Sequence, residues 1–218
     1  MRILLILMLL VFLDSCTSNR KDPTLAPAGK DTIIIHDTII AANQMNDWQV
    51  SFNLTNDPDT DSVWFKPVSY YISDPNCSGL ASDFYYGSLR PRDDGTTDEL
   101  LKLATTSNNK LRPFYRWCLN MTIAIQDGAL AEHTGIPARR YAEKFPREFF
   151  NYMDVDTSGN RYENWVSAIS YSGFYDGDEY KKPKEIAIRF ASKMKRNCKG
   201  CNQKILDRID TLASACFN

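Results

Sequence analysis

The chain opens with an apolar segment that constrains where the remainder can fold. After Met1 and Arg2, residues 3–13 form an unbroken apolar run. A transmembrane helix needs about 20 apolar residues, so this run is too short to span a bilayer but suits the hydrophobic region of a secretory signal peptide. The sequence therefore predicts that residues 1–15 are a signal peptide and that the rest of the chain folds outside the cytoplasm.

The last residue of the apolar run, Leu13, is also the first residue of a short motif that contains a cysteine, Leu13-Asp14-Ser15-Cys16. It resembles the lipobox of bacterial lipoproteins, although Asp14 stands where a small or aliphatic residue is usual. The resemblance implies cleavage before Cys16 and attachment of a diacylglycerol and an amide-linked acyl chain to that residue. Several acyl chains anchor a protein stably where one binds marginally. Thr17 follows instead of an inner-membrane retention Asp, which implies an outer-membrane location facing the periplasm.

Composition divides the mature chain into a tether and one domain. Residues 16–45 contain a linker rich in Pro, Ala and Gly, and then two copies of Asp-Thr-Ile-Ile that predict a short strand near residues 31–41. Residues 46–218 are expected to form one globular domain, because 43% of the chain is hydrophobic. The net charge of −1 gives no electrostatic indication of nucleic-acid binding.

Apolar residues spaced three and four apart predict a series of amphipathic helices after residue 96. The clearest face carries Leu111, Phe114, Tyr115, Cys118, Met121, Thr122 and Ile125. Another helix is expected after Gly135, with Pro137 in its first turn and a kink or break at Pro146. Further periodic faces lie near 162–169, 186–194 and 205–216, whereas residues 63–72 fit either a helix or a strand. The predicted fold is mainly α, a single helical array behind a flexible tether.

Cysteine usage fits an exported domain. Five cysteines follow Cys16, and all are disulfide candidates in an oxidising compartment: Cys77, Cys118, Cys198, Cys201 and Cys216. Because the number is odd, at least one thiol stays free or pairs with another chain. The CxxC formed by Cys198 and Cys201 lacks the preceding strand of a redox motif, and few other zinc ligands are available. We predict a structural disulfide here, linking the last two helices or reaching Cys118.

Residues 154–159 resemble the start of an EF-hand calcium loop, with Asp154, Asp156 and Ser158 at ligand positions. Trp165 stands where that loop has its bidentate Glu, so the ligand that supplies two oxygens is missing. The alternative is a turn in which Asp156 or Ser158 caps the following helix. We favour this alternative and predict neither a metal nor a cofactor.

Arginine and aromatic residues are mixed densely in two segments, and these residue types dominate interface hot spots. The candidate binding surface comprises Arg112, Tyr115, Arg116, Trp117, Arg139 and Arg140. The alternative interpretation is helix packing, with arginine stems lying over rings.

No catalytic set of residues is evident, and the sequence favours a membrane-anchored, non-enzymatic lipoprotein that binds a protein or an envelope component. Composition and helix order between residues 116 and 194 also resemble periplasmic immunity proteins that block cell-wall amidase toxins of type VI secretion, a resemblance that carries over no residue. A third hypothesis is an envelope glycan hydrolase. It needs two carboxylates about 5–10 Å apart, and the helix faces near Glu99, Asp127 and Glu132 could host such a pair.

Overall fold

A computed structural model of the chain describes residues 54–157, 159–175 and 181–217. Strands β1 (Ser62–Val63) and β2 (Lys66–Pro67) are followed by helices α1 (Ser69–Ile72), α2 (Gly79–Tyr86), α3 (Gly95–Lys102), α4 (Arg112–Ile125), α5 (Gly128–Lys144), α6 (Pro146–Asp154), α7 (Arg161–Tyr171), α8 (Pro183–Asn197) and α9 (Gln203–Cys216). Single 3-10 turns lie at Leu103–Thr105 and Ser172–Tyr175. The predicted mainly helical fold is confirmed. Cys16 and the predicted strand at 31–41 lie outside the described residues.

Side-chain caps explain where several helices begin. Asp94 accepts hydrogen bonds from the backbone N–H groups of Thr96 and Thr97 at the start of α3. Asn202 caps α9 in the same way through the N–H of Ile205. Each cap satisfies donors that have no partner within the helix, typically contributing about 1 kcal/mol.

Helix α5 begins earlier than its sequence suggests, so the prediction of a start after Gly135 is wrong. Asp127 accepts a hydrogen bond from the N–H of Leu130, and the helix starts at Gly128. Pro137 therefore lies inside the helix, where it removes only one of many backbone hydrogen bonds. The predicted break at Pro146 is confirmed: α5 ends at Lys144, and the proline opens α6, where its missing N–H costs nothing.

Helix α4 lies at the centre of the domain. It packs against α2, α3, α5, α7, β1 and the first 3-10 turn. Its apolar residues join one buried cluster that extends through the described chain. Aromatic rings fill much of this cluster: Phe114 stacks on Trp117 with ring centroids 5.7 Å apart and on Tyr71 at 5.4 Å. The predicted face of α4 is thus the inward face.

Helices α5 and α7 approach each other closely at Gly135. A methyl group built on that glycine would lie 3.0 Å from the carbonyl oxygen of Ala168 and 3.0 Å from the backbone nitrogen of Ser172. Contacts at this distance are tighter than nine in ten real Cβ contacts, so the backbone of α7 and of the following turn would have to shift by a few tenths of an ångström. The helix crossing therefore favours glycine at this position.

A tight hairpin precedes the helices. Val63 pairs with Lys66, and the two residues between them, Trp64 and Phe65, form the turn with φ angles of 49° and 64°. Both angles lie in the left-handed region that Asn and Gly usually occupy in such turns. Two tyrosine hydroxyls hold the hairpin in place: Tyr71 donates to the carbonyl of Val63 at 2.9 Å, and Tyr85 donates to the carboxylate of Asp61, just before β1, at 2.6 Å.

The last two helices are joined by a short turn that contains a disulfide. Cys198 and Cys201 are bonded within the turn, with Cα atoms 5.5 Å apart. Cys77, Cys118 and Cys216 are thiols, of which the latter two are buried. Among the described residues, no helix has the length and apolar character needed to cross a membrane.

Candidate binding pocket

A pocket of about 320 Å³ opens between the hairpin, α4 and the segment from the end of α6 to the start of α7. Its walls are mainly apolar and aromatic, and its lining is formed by Leu54, Ser62, Val63, Trp64, Phe65, Arg116, Trp117, Asn120, Met121, Tyr152, Val155 and Arg161. The volume is at the lower end of the range typical of small-molecule sites. None of these lining residues is an aspartate or a glutamate.

Arg116 is the one charged side chain of this pocket that is fully buried, with 1% of its surface exposed. Its Nη1 donates a hydrogen bond to the hydroxyl of Tyr141 at 3.0 Å. Its Nε and Nη2 are buried and have no hydrogen-bond partner among residues 54–157, 159–175 and 181–217. Aromatic rings surround the guanidinium, whose carbon lies 4.0 Å from the ring centre of Tyr152 and 4.3 Å from that of Trp64.

The charge of Arg116 lacks a carboxylate partner among the described residues. The nearest acid in its hydrogen-bond chain is Glu148, which accepts a 3.4 Å bond from the hydroxyl of Tyr141. Glu148 is already bound by Arg112, whose Nε and Nη2 donate to its two oxygens at 2.9 and 2.6 Å. Tyr141 cannot supply a negative charge either, because burial raises the pKa of its hydroxyl despite the opposing effect of Arg116.

Asn120 and Arg161 are two further polar side chains of the lining that carry hydrogen-bond donors. Asn120 accepts a hydrogen bond through Oδ1 from the indole N–H of Trp165 at 2.9 Å. Because that indole can only donate, the amide oxygen of Asn120 faces it and the NH₂ group is turned away. Arg161 also lines the pocket, but its guanidinium donates to the carbonyl of Tyr152 at 2.7 Å and lies 3.5 Å from the carboxylate of Asp156.

Two features of this site oppose folding. Burying a charge without a partner costs several kcal/mol, and cation–π contacts of about 2 kcal/mol offset only part of that. Trp64 and Phe65 add backbone strain of about 1–3 kcal/mol each. Phe65 is 76% exposed and gains little from burial in return. Costs of this kind concentrate at functional sites, which makes this pocket the candidate.

The candidate surface from the sequence does not form an open surface, and in this respect the interpretation as an interface is wrong. Arg112, Tyr115, Arg116 and Trp117 are all buried, because they lie on the inward face of α4. Arg139 bonds to Glu143 at 3.2 Å, and Arg140 is exposed and does not line the pocket. Only Arg116 and Trp117 of the predicted set line the pocket.

The calcium-like loop is a turn held by arginines. Asp154 is bound through both oxygens by Arg208, at 2.6 and 2.9 Å. Asp156 accepts a hydrogen bond from the backbone N–H of Arg161 at 3.0 Å, which caps the start of α7 as expected. Ser158 lies outside the described residues. Over the described part of the chain, no group of His, Cys, Asp or Glu side chains has the arrangement of a metal site.

His133 forms a second polar cluster away from the pocket. Its Nδ1 lies 2.9 Å from Asp98 on α3, and its Nε2 lies 2.8 Å from Asp93 in the preceding loop. The hydrogen bond that the protonated ring donates to Asp93 raises the pKa of His133, and the one donated to Asp98 adds to this, although burial opposes both. The cluster joins α3 and α5, and both carboxylates are engaged, so it serves the fold.

Sequence reasoning missed most of the pocket, including Trp64, Asn120, Tyr152 and Arg161. These residues come from three separate segments, and no local spacing indicates that they meet. The acids near Glu99, Asp127 and Glu132 are exposed, with Asp127 engaged as a helix cap. Comparison of the chain with models of known families, with curated proteins and with solved structures found no match.

Proposed function

We propose that this protein is a lipid-anchored lipoprotein of the bacterial envelope whose helical domain is a non-enzymatic binding module, with the Arg116 pocket as its ligand site. The observation that carries the binding role is the buried guanidinium of Arg116, whose Nε and Nη2 have no hydrogen-bond partner among the described residues. A ligand with hydrogen-bond acceptors would supply what the fold omits.

The composition of the pocket favours binding over hydrolysis. A glycoside hydrolase of the usual kind needs two carboxylates that flank the scissile bond. The lining of this pocket contains neither aspartate nor glutamate, and its aromatic walls suit retention of a ligand. The anchor rests on the sequence alone, through the apolar run and Cys16.

The anchor is tested by metabolic labelling with an alkyne-bearing fatty acid in cells that express the full chain. The wild type should carry the label and fractionate with membranes, whereas Cys16→Ser should lose both. An unlabelled wild-type protein in the soluble fraction would contradict the anchored location.

The binding role is tested by recovering the lipidated protein from its native membranes after mild crosslinking, followed by mass spectrometry of everything retained. Wild type should retain a stoichiometric ligand or partner that Arg116→Met loses. Arg140→Met removes an exposed arginine outside the pocket and should retain it. Identical bound species on wild type and Arg116→Met would refute the assignment of the pocket.

A further inference from the structure

The ligand class can be narrowed by comparing two arginines of the same helix. Arg112 and Arg116 are four residues apart on α4. Arg112 uses Nε and Nη2 to hold both oxygens of the Glu148 carboxylate, at 2.9 and 2.6 Å. In Arg116 the same two nitrogens have no hydrogen-bond partner in the part of the chain that the structure describes. These nitrogens form one edge of the guanidinium, with two parallel N–H bonds that match the spacing of the two oxygens of a carboxylate.

We infer that the pocket binds a monocarboxylate with an apolar body, whose carboxylate pairs with the Nε–Nη2 edge of Arg116 and whose body lies against the aromatic walls. This inference rests on the proposed function, since it names the ligand of the same site. Either a free small acid or the carboxyl terminus of a polypeptide with an apolar last residue has this chemistry.

The charge around the pocket favours one negative charge on the ligand. Arg161 is engaged by Asp156 and by the carbonyl of Tyr152. Of the two arginines in the lining, Arg116 is therefore the one without a carboxylate partner in the described part of the chain. A single carboxylate neutralises it, whereas a phosphate dianion would bring a second charge into a space walled by rings. The NH₂ group of Asn120 offers a further neutral donor at the wall.

The apolar walls indicate the chemistry of the part of the ligand that lies beyond its carboxylate. Trp64 and Tyr152 lie over the guanidinium, and Val63, Trp117 and Met121 continue the lining. Such walls favour an aromatic or branched aliphatic group, whose apolar surface is removed from water when it enters. The volume of about 320 Å³ admits one such group.

Access to the guanidinium passes the hairpin turn. Both unpartnered nitrogens are shielded from solvent, and Trp64 covers the group from the turn. That turn joins two strands of two residues each, and both of its residues have positive φ angles. The inference therefore includes displacement of Trp64 when the carboxylate enters.

Calorimetric titration of the full chain in detergent tests the inference with four probes. Phenylacetate represents a free acid, and N-acetyl-alanyl-phenylalanine represents a polypeptide carboxyl terminus. Phenylacetamide has the same shape without the charge, and phenylphosphonate replaces the carboxylate by a different anion. We expect saturable binding of at least one carboxylate, with the amide and the phosphonate each at least tenfold weaker than the matching acid. The tighter of the two carboxylates identifies the source.

Variants assign the binding to the guanidinium edge. Arg116→Met should weaken carboxylate binding at least tenfold, and Arg116→Lys should also weaken it, because lysine keeps the charge but lacks the two-donor fork. Arg140→Met should bind as the wild type does. Circular dichroism spectra that match the wild type would show that each variant is folded.

The carboxylate inference can fail while the proposed binding function stands, and the experiments distinguish the two cases. A phosphonate or an amide that binds as tightly as the acid would overturn the carboxylate class, while the pocket would remain a binding site. An absence of saturable binding by both carboxylates would also overturn the inference. The proposed function would then be decided by the crosslinking comparison, which uses no chosen probe.

Discussion

Arg112 and Arg116 lie one helical turn apart on the same face of α4, yet only Arg112 has a carboxylate partner among the described residues. Arg112 is buried and paired with Glu148, and it also donates to the carbonyl of Thr106 and the side chain of Asn109. Arg116 is buried more completely and has one neutral hydrogen bond. What distinguishes Arg116 from Arg112 is therefore the lack of a carboxylate partner among the described residues, and the identity of the residue alone does not reveal this.

A pH dependence follows from the pair of carboxylates around His133. Because the pKa of His133 is raised in the folded domain, the stabilisation is fully present below the unfolded value of about 6.5. It is lost as the pH rises through the folded-state pKa. The contribution should be less than about 1 kcal/mol, since Asp93 and Asp98 are substantially exposed.

Urea unfolding between pH 5.5 and 9 measures this effect. The free energy of unfolding of the wild type should fall over the upper part of the range relative to that of His133→Gln, in which the side chain cannot titrate. Parallel pH profiles for the two proteins would show that the ion pairs contribute nothing to stability.

At the scale of elements, local signals and long-range packing differ in how well they can be predicted. The inward face of α4 and the break at Pro146 follow from apolar spacing and from proline geometry, and both are confirmed. The predicted start of α5 is wrong because Pro137 is typical of a first helical turn, whereas the cap at Asp127 starts the helix nine residues earlier, at Gly128. The close approach at Gly135 depends on α7, which lies more than twenty residues away, so its sequence neighbourhood gives no sign of it.

This crossing gives a prediction with a matched control on the same helix. Gly135→Ala should lower the free energy of unfolding by about 1–3 kcal/mol, because the added methyl group meets the backbone of α7 and the turn after it. Gly128→Ala, at the start of α5, meets nothing within 4 Å and should raise the free energy of unfolding by up to about 1 kcal/mol. Chemical denaturation of both variants measures the difference.

The comparison is informative because helix propensity alone predicts that Gly135→Ala and Gly128→Ala both raise the free energy of unfolding. If Gly135→Ala were as stable as Gly128→Ala, α5 and α7 would have to be farther apart than the structure places them.

At the scale of the whole molecule, the pocket combines segments that are far apart in sequence. Its lining comes from Leu54, from the segments 62–65, 116–121 and 152–155, and from Arg161, and only the tertiary fold brings them together. The sequence could therefore predict the helical class and name Arg116 and Trp117, but not that they share a cavity with Trp64 and Tyr152. The same assembly buries the charge of Arg116 without a carboxylate partner among the described residues. The free energy of unfolding of the domain therefore includes the desolvation penalty of that charge.

That cost leads to a prediction about global stability that uses one substitution at two positions. Arg116→Met removes an unpaired buried charge and fills the space with an apolar side chain that can contact the surrounding rings. The free energy of unfolding should stay equal or rise by about 1–2 kcal/mol, since replacing buried charges by packed apolar groups is often neutral or stabilising. Arg112→Met instead removes the partner of Glu148, which is 39% exposed. It should lower the free energy of unfolding by about 1–3 kcal/mol.

Urea denaturation at pH 7 without added ligand measures the free energy of unfolding of both variants. A loss of more than 2 kcal/mol in Arg116→Met would mean that this guanidinium holds the fold together, and the argument that the domain retains it for a ligand would then fail.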